Sequence, residues 1–384
     1  MPVETDTDRA HLARAVELAE RGRGRVSPNP LVGAVIARDG EVLGEGFHTA
    51  FGAAHAEVEA IRAAGGEAGR LSGATLYVSL EPCAHAGKTP PCTEAILAAG
   101  LKRVVVASED PSEKAAGRGP GILRDEGVEI LHADGELAAS ARLLNQPFRK
   151  HARSGRPWVL FKSAMSLDGK VATPAGDSKW ISCEQSRRRA HRGRAELDAV
   201  AGGIGTALAD APRLTARLGA EEGEQGLDAP GHQPRRVVFD SLARLPLECR
   251  LVRDAAEVPL TVIVSRAAPR TAVAALEGAG AEVLVAAGAN DPARVTSALE
   301  QLGATGVSSI LLEGGPRLAG AFLDAGEIDE LRLFLAPLLL GGRTARDPLE
   351  GEGVEAISEA IRVQPLTCES LGEDVLVSAR LREW

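Results

Sequence analysis

The feature that most constrains how this chain folds is a set of metal-type ligands far apart in sequence: His55-Ala56-Glu57, then Pro82-Cys83, then Cys92. If one ion takes the imidazole and both thiolates, the segments that carry them must converge on a point. One His and two Cys fill three positions of a tetrahedral zinc and leave the fourth to water, which separates a catalytic zinc from a structural one. Zinc lowers the pKa of such water to roughly 7. Glu57, two residues past the histidine, is then expected to move protons rather than bind metal. Taken singly, the cysteines suit a core or a disulfide and His55 suits a buried ring. Taken jointly, His55, Cys83 and Cys92 point to one Zn2+ per chain with Glu57 as the catalytic group, the H-x-E…P-C signature of zinc deaminases. The second cysteine departs from that signature: it follows the first by nine residues rather than three, across Ala84-His85-Ala86-Gly87-Lys88-Thr89-Pro90-Pro91.

Periodicity predicts the context. A helix over 8–22 places Leu12, Ala15 and Leu18-Ala19 on one stripe, and a buried strand runs over 31–36. Asp39-Gly40 turns it into a second strand over 41–47. A helix from Ala54 to Gly65-Gly66 carries His55 and Glu57 in its first turn. A strand over 74–80 leads to Cys83, and a helix opens at Cys92, where the N-terminal partial charge favours a thiolate. A strand over 103–107, a helix over 119–126 and a strand over 128–132 follow, so a mixed sheet with helices on both faces is expected. The basic run between Asn145 and Pro157 reads as a linker, dividing the chain at 1–150 and 151–384. Beyond it, strands are predicted at 158–162, 197–201, 236–239, 260–264, 282–285, 309–312 and 330–336, with an exposed acidic loop over 221–234.

At 384 residues, two domains are the natural division. The net charge of −9 splits evenly: 17 basic and 21 acidic residues through Lys150 leave −5 for the rest. Neither half carries the basic excess of a nucleic-acid binder, so no nucleic-acid partner is expected. The acidic opening residues do not read as a secretory signal. The apolar run at 331–340 is broken by Arg332 and Pro337 and is too short for a bilayer, so no membrane partner is expected. Five cysteines suggest no disulfide framework, and the expected location is cytoplasmic.

The inter-cysteine stretch 83–92, with Pro28-Asn29-Pro30-Leu31-Val32-Gly33 and Gly44-Glu45-Gly46-Phe47-His48, closely resembles the bifunctional RibD family of riboflavin biosynthesis. In the second half the resemblance rests on Ser166-Leu167-Asp168-Gly169-Lys170, Lys179-Trp180-Ile181-Ser182, the run 206–215 and Glu313-Gly314-Gly315-Pro316. It implies a cytidine-deaminase-like three-layer αβα domain followed by a dihydrofolate-reductase-like α/β domain. The implied work is deamination of 2,5-diamino-6-(5-phosphoribosylamino)pyrimidin-4(3H)-one, then NADPH-dependent reduction of the ribosyl side chain to ribityl. His48, His85 and Lys88 suit the substrate's phosphorylated sugar as cations or donors, and Asn29 suits a ring edge. The resemblance places cofactor contacts on Ala164, Trp180, Thr206, Asp210, Ser241 and the run Gly315, Pro316, Arg317, Leu318, Ala319, Gly320 and Ala321. Trp180 equally suits the core. Substrate contacts fall on Ser178, Arg194, Leu214, Arg217 and Glu313, with the two arginines suited to phosphate and Glu313 to ribose hydroxyls. Lys162, at the end of the first strand of this half, suits proton delivery. Reductases of this fold commonly pair, so a homo-oligomer through that domain is expected.

Without the resemblance the second half reads only as an α/β domain with glycine turns, and no G-x-G-x-x-G follows its first strand. Two alternatives set the competition. One is a nucleic-acid (tRNA) deaminase with an accessory binding domain, which the acidic balance disfavours. The other is a non-catalytic protein with structural zinc, which needs a fourth ligand, for which His85 is the candidate in the loop.

Overall fold

A computed structural model describes residues 5–66, 71–85, 89–113, 115–218 and 233–384. The chain divides into two compact units, Met1–Ser154 with Trp384, and Gly155–Glu383.

In the first unit, helix α1 (Asp6–Glu20) starts where Thr5 accepts a hydrogen bond from the Asp8 N–H at 3.0 Å and buries Leu12, Ala15, Leu18 and Ala19. Strands β1 (Gly33–Arg38) and β2 (Glu41–Phe47) form a hairpin, closed by Asp39 and Gly40 at φ 52° and 83°. They are followed by α2 (Ala56–Ala63), β3 (Thr75–Val78), α3 (Cys92–Ala98), β4 (Arg103–Val106), α4 (Arg118–Asp125), β5 (Glu129–His132) and α5 (Gly135–Leu144). The sheet order is β2-β1-β3-β4-β5, antiparallel across the first three strands and parallel across the last three. Ala34, Ile36, Leu76, Val78, Val104 and Val106 pack one face against Ala60 and Ile61 of α2, Ile96 of α3 and Leu123 of α4. Val35, Tyr77, Val105 and Leu131 pack the other against α1 and α5. The result is the expected three-layer arrangement.

The contact between β2 and α2 is close enough to depend on glycine. A Cβ on Gly46 would lie 2.5 Å from Ala56 O and 2.4 Å from Ala60 N, and one on Gly44 2.4 Å from Ala60 O. Helix α4 makes a similar approach, since a Cβ on Gly119 would lie 1.8 Å from Pro82 O.

The linker expected between Asn145 and Pro157 is instead helix α6 (Gln146–Ser154), with Arg149 and Lys150 only 2% and 0% exposed. Arg149 donates to Glu109 Oε1 at 2.5 Å and to Ser108 Oγ at 3.3 Å. Its charge is answered inside the fold by residues 40 positions away, which composition cannot reveal.

The second unit begins with β6 (Trp158–Ser166), α7 (Glu184–Glu196), β7 (Ala199–Gly203), α8 (Ile204–Asp210), β8 (Arg235–Phe239), α9 (Arg250–Arg253) and β9 (Leu260–Ser265). It continues with α10 (Arg270–Gly278), β10 (Glu282–Ala286), α11 (Asp291–Ala304), β11 (Ser309–Leu312), α12 (Pro316–Asp324), β12 (Glu330–Ala336), β13 (Leu366–Leu371) and β14 (Asp374–Arg380). The sheet order is β10-β9-β8-β7-β11-β6-β12-β14-β13, parallel through β12 and antiparallel at its last two pairings. Val159, Phe161, Val237, Ile263 and Ile310 pack against Val295, Leu299 and Leu302 of α11 and Phe322 of α12. The strands predicted from sequence are present. The β13–β14 hairpin was not expected, because β13 is exposed along its length and shows no apolar alternation. Of the predicted acidic loop, only Gln233 and Pro234 lie within the described residues. Among those residues, no helix is long and apolar enough to cross a membrane.

Gly46→Ala is expected to destabilise the first unit by about 1–3 kcal/mol by overpacking α2. Gly121→Ala, in α4 with open space around the new methyl, is expected to stabilise it by about 0.5–1 kcal/mol. Thermal unfolding of the full chain checks both.

Candidate active sites

The first site assembles from three places in the first unit. His55 is the extended N-cap residue of α2 and Glu57 lies in its first turn. Cys83 follows β3, and Cys92 opens α3. The ligand atoms of His55, Cys83 and Cys92 all lie within 4.8 Å of one another. His55 Nδ1 stands 3.1 Å from Cys92 Sγ and 3.4 Å from Cys83 Sγ, and the Cys92 N–H donates to Cys83 Sγ at 3.4 Å. Ligands of a tetrahedral zinc stand roughly 3.5–3.8 Å apart, so the donor set fits that ion in size and in type. All five cysteines are free thiols. Among the described residues no fourth His, Cys, Asp or Glu joins the cluster, and His85 stays outside it.

Protonation follows from the surroundings. Donation from the Cys92 thiol and backbone, opposed by burial, holds the Cys83 thiol well below its ordinary range. Glu57 is 3% exposed, and burial, then the neighbouring Cys83, pushes its carboxyl up to about 7. His55 Nε2 is 3.2 Å from Thr89 Oγ1. With a metal on Nδ1, the Nε2 proton is donated to that hydroxyl, which fixes the ring's tautomer and plane. Nothing in the sequence singled out Thr89, since its role depends on how the inter-cysteine loop folds back.

A cavity of about 390 Å3 opens onto the cluster, lined by Asn29, His48, Phe51, Glu57, His85 and Phe148 among others. His48 is 2% exposed and burial lowers its pKa. Its Nδ1 donates to Ala54 O at 3.0 Å, leaving Nε2 to accept from Asn29 Nδ2 at 3.1 Å. The structure therefore corrects the expected cation or donor to the sugar: His48 is a buried neutral ring whose two nitrogens are taken by Ala54 and Asn29, and it orients Asn29. His85 is exposed at the cavity. Lys88 lies outside the described residues.

The second unit holds a cavity of about 510 Å3 at the C-terminal ends of β7 to β11, the usual ligand edge of a parallel sheet. Thr206, Ser241, Gly315, Pro316, Arg317, Leu318 and Ala321 line it. A Cβ on Gly315 would come 3.4 Å from Thr206 Oγ1 and one on Gly314 2.9 Å from Leu318, so bare backbone forms the turn from β11 into α12. Ala319 is in the core beneath α12, and Gly320 lies against Glu350, with no room for a Cβ. Asp210 is exposed at the end of α8, and Ala164 lies on β6 on the same side as Lys162. Neither lines the cavity. The core alternative for Trp180 is overturned: it is 76% exposed at φ 64°, with the Arg187 guanidinium 4.7 Å over its ring.

Near this cavity the other expected substrate residues form a charged cluster. Arg194 grips Glu313 with two parallel bonds, Nε to Oε1 at 2.7 Å and Nη2 to Oε2 at 2.6 Å, and donates Nη1 to Thr215 O at 3.1 Å. Its fork is thus occupied by protein, which corrects the expectation of two free arginines for phosphate. Burial alone would raise Glu313, but Arg194 overrides it and holds the carboxyl at about 2. Lys162 sits 5.6 Å over the Phe334 ring, and burial lowers its pKa against the pull of Glu313. Arg217 remains exposed, donating Nη2 to His191 Nε2 at 3.1 Å. Burial, then Arg194 and Arg217, pushes His191 down to about 4, so it is the neutral acceptor. His191 escaped the sequence reading, although its place one turn before Arg194 on α7 was a usable signal. Leu214 is buried at φ 54°, so only its backbone is available to a ligand, and Ser178 is half-buried in the loop after β6.

Thr89→Val is expected to weaken zinc binding about 10- to 100-fold by freeing the His55 ring. A competition titration with a zinc chelator, run against wild type, reads this directly.

Both units resemble known proteins. The cytidine and deoxycytidylate deaminase zinc-binding region matches residues 5–108, and the RibD C-terminal domain matches residues 157–377. The riboflavin biosynthesis protein RibD of Actinobacillus pleuropneumoniae is 39% identical over 374 residues, covering 97% of this chain and 95% of that protein. The solved structure of Acinetobacter baumannii RibD, form 1, is 36% identical with a TM-score of 0.85, covering 98% of this chain and 99% of that one. A diaminohydroxyphosphoribosylaminopyrimidine deaminase/5-amino-6-(5-phosphoribosylamino)uracil reductase from Thermotoga maritima is 34% identical with a TM-score of 0.81, covering 97% and 98%. A cytidine-deaminase-like unit carrying a three-ligand zinc-type site, joined to a reductase unit of dihydrofolate-reductase-like fold, makes this chain a member of the RibD family, the bifunctional deaminase–reductases of riboflavin biosynthesis.

Proposed function

We propose that residues 1–150 deaminate 2,5-diamino-6-(5-phosphoribosylamino)pyrimidin-4(3H)-one and that residues 151–384 reduce the ribosyl chain of the product, giving 5-amino-6-(5-phosphoribitylamino)uracil. The observation that carries this reading is the His55–Cys83–Cys92 cluster, three ligands with no fourth among the described residues, and buried Glu57 on the same cavity. The name of the Thermotoga relative supports the choice of substrate.

In the first site His55, Cys83 and Cys92 would hold zinc, which when bound would supply the Lewis acidity that makes water nucleophilic near neutral pH. Glu57, with a pKa near neutrality, takes one proton from the attacking water and delivers it to the ring nitrogen, then takes the second from the hydroxyl now on the ring carbon and delivers it to the departing amine as the carbonyl forms. Asn29, set by His48, pairs with the ring edge. His85, exposed at the cavity, takes the phosphorylated sugar, a role the resemblance also gives to Lys88.

In the second site NADPH supplies the hydride, and the protein orients the reacting carbon. The turn at Thr206 and Gly315–Leu318, the start of α12, and Ala321 hold the cofactor, with Ala164, Trp180, Asp210 and Ser241 around it. Glu313, fixed by Arg194, accepts from the hydroxyls of the open-chain sugar. Arg217, backed by His191, takes the phosphate, and Ser178 and the Leu214 backbone complete the site. Lys162, whose lowered pKa eases proton release, is the donor. Free thiols throughout fit a cytoplasmic setting. The exposed edge strand β13, with Leu366 62% exposed, fits pairing of second units in a homo-oligomer.

Zinc-loaded protein given the diaminopyrimidine nucleotide is expected to release ammonia, and NADPH added afterwards is expected to be oxidised. Absence of ammonia overturns the deaminase, and ammonia without later NADPH oxidation overturns the second step. Glu57→Gln is expected to retain zinc and lose deamination by at least about 100-fold, while reduction of the deaminated intermediate continues unchanged.

A further inference from the structure

The cavity at the ends of β7 to β11 is lined by four arginines, Arg244, Arg294, Arg317 and Arg346, against two acids, Asp291 and Glu350. Two of the arginines are already answered. Asp291 pairs with Arg294 and, at 3.0 Å, with Arg317. Arg346 also lines the cavity and lies in the segment after β12, where its backbone bridges Ala172. Arg244 stands apart from these, in the turn after β8 and beside Ser241 and Leu242, which line the same wall.

In the Rossmann fold an acid near a strand end accepts from the ribose 2′-hydroxyl, whereas an arginine nearby accommodates a 2′-phosphate; this unit lacks that fold's glycine motif, but the chemistry of the choice between hydroxyl and phosphate is the same. Strand β8 is followed at once by an acid, Asp240, which in sequence reads as the first kind. The fold turns it away. Asp240 is 0% exposed and accepts from the Leu245 N–H at 2.8 Å, so it closes its own turn and cannot reach a ligand. Arg244 is 56% exposed, touches Asp240 only at 3.7 Å, and makes no other ion pair or hydrogen bond among the described residues. The turn that buries the acid therefore presents the guanidinium to the cavity.

We propose that Arg244 binds the 2′-phosphate of the dinucleotide and sets the preference of the second unit for NADPH over NADH. The inference rests on the reductase reading above and adds the group that discriminates between the two cofactors. A guanidinium matches the phosphate as a planar fork, and an ordinary 2′-hydroxyl leaves the same guanidinium without its charge partner.

The test is equilibrium binding of NADPH and of NADH to the full chain without substrate, followed by quenching of tryptophan fluorescence or by calorimetry. For Arg244→Gln the Kd of NADPH is expected to rise about 10- to 100-fold, with the Kd of NADH changed less than about twofold and wild-type thermal stability retained. Arg244→Lys is expected to keep part of the preference, as a point charge without the fork. In wild type the preference is expected to shrink as salt is raised, and in Arg244→Gln to be insensitive to it. An unchanged NADPH affinity in Arg244→Gln, or equal weakening of both nucleotides, overturns the assignment. Wild-type protein that binds neither nucleotide overturns the reductase reading itself, and this inference with it.

Discussion

The metal-type cluster depends on how closely two helices approach the elements that carry its ligands. Helix α2 lies on β2 at Gly44 and Gly46, where a Cβ would stand 2.4–2.5 Å from helix backbone. That contact sets where the first turn of α2 begins, and so where His55 and Glu57 point. Helix α4 lies on Pro82 through Gly119, fixing the backbone that leads into Cys83. Protein interiors are packed densely enough that a single methyl at such a contact has to move a helix. A zinc site tolerates only a few tenths of an ångström in its ligand positions. Glycines remote from the chemistry are therefore part of what makes the site.

Burial does different work at the two sites. In the first unit it raises Glu57 towards neutrality, where a group both accepts and releases protons readily. In the second unit a largely buried carboxylate, Glu313, is held at about 2, because Arg194 meets both its oxygens. The first carboxyl is suited to carrying a proton and the second to remaining a fixed acceptor. What separates them is a partner: Glu57 lies by a thiolate, and Glu313 by a guanidinium.

Much of the first unit was legible because its chemistry and its periodicity coincide. The ligand types at 55, 83 and 92 announce a metal whatever the fold, and the helix and strand patterns place them at element ends. Other features were hidden because they depend on pairing between distant residues. Arg149 and Lys150 read as part of a basic linker, yet they lie on a helix and their side chains are buried. His48 read as a cation, and burial with a carbonyl at Nδ1 makes it a neutral acceptor. Arg194 read as a phosphate ligand, and Glu313, brought beside it from β11, occupies its fork. In each case the residue type was right and its partner was missing.

By itself the sequence determined the inventory: which side chains can bind metal, where the strands lie, and that two α/β units follow one another. Those properties are set by local chemistry and by periods of two or three to four residues, so they survive without knowledge of contacts. The tertiary structure decided which groups are charged, which are already partnered and which face a ligand. Thr89 on His55, His191 on Arg217, and the turn that buries Asp240 while exposing Arg244 are all outcomes of that kind. The physical reason is that protonation and hydrogen-bond availability depend on burial and on neighbours across the fold, and neither is written at any one position in the chain.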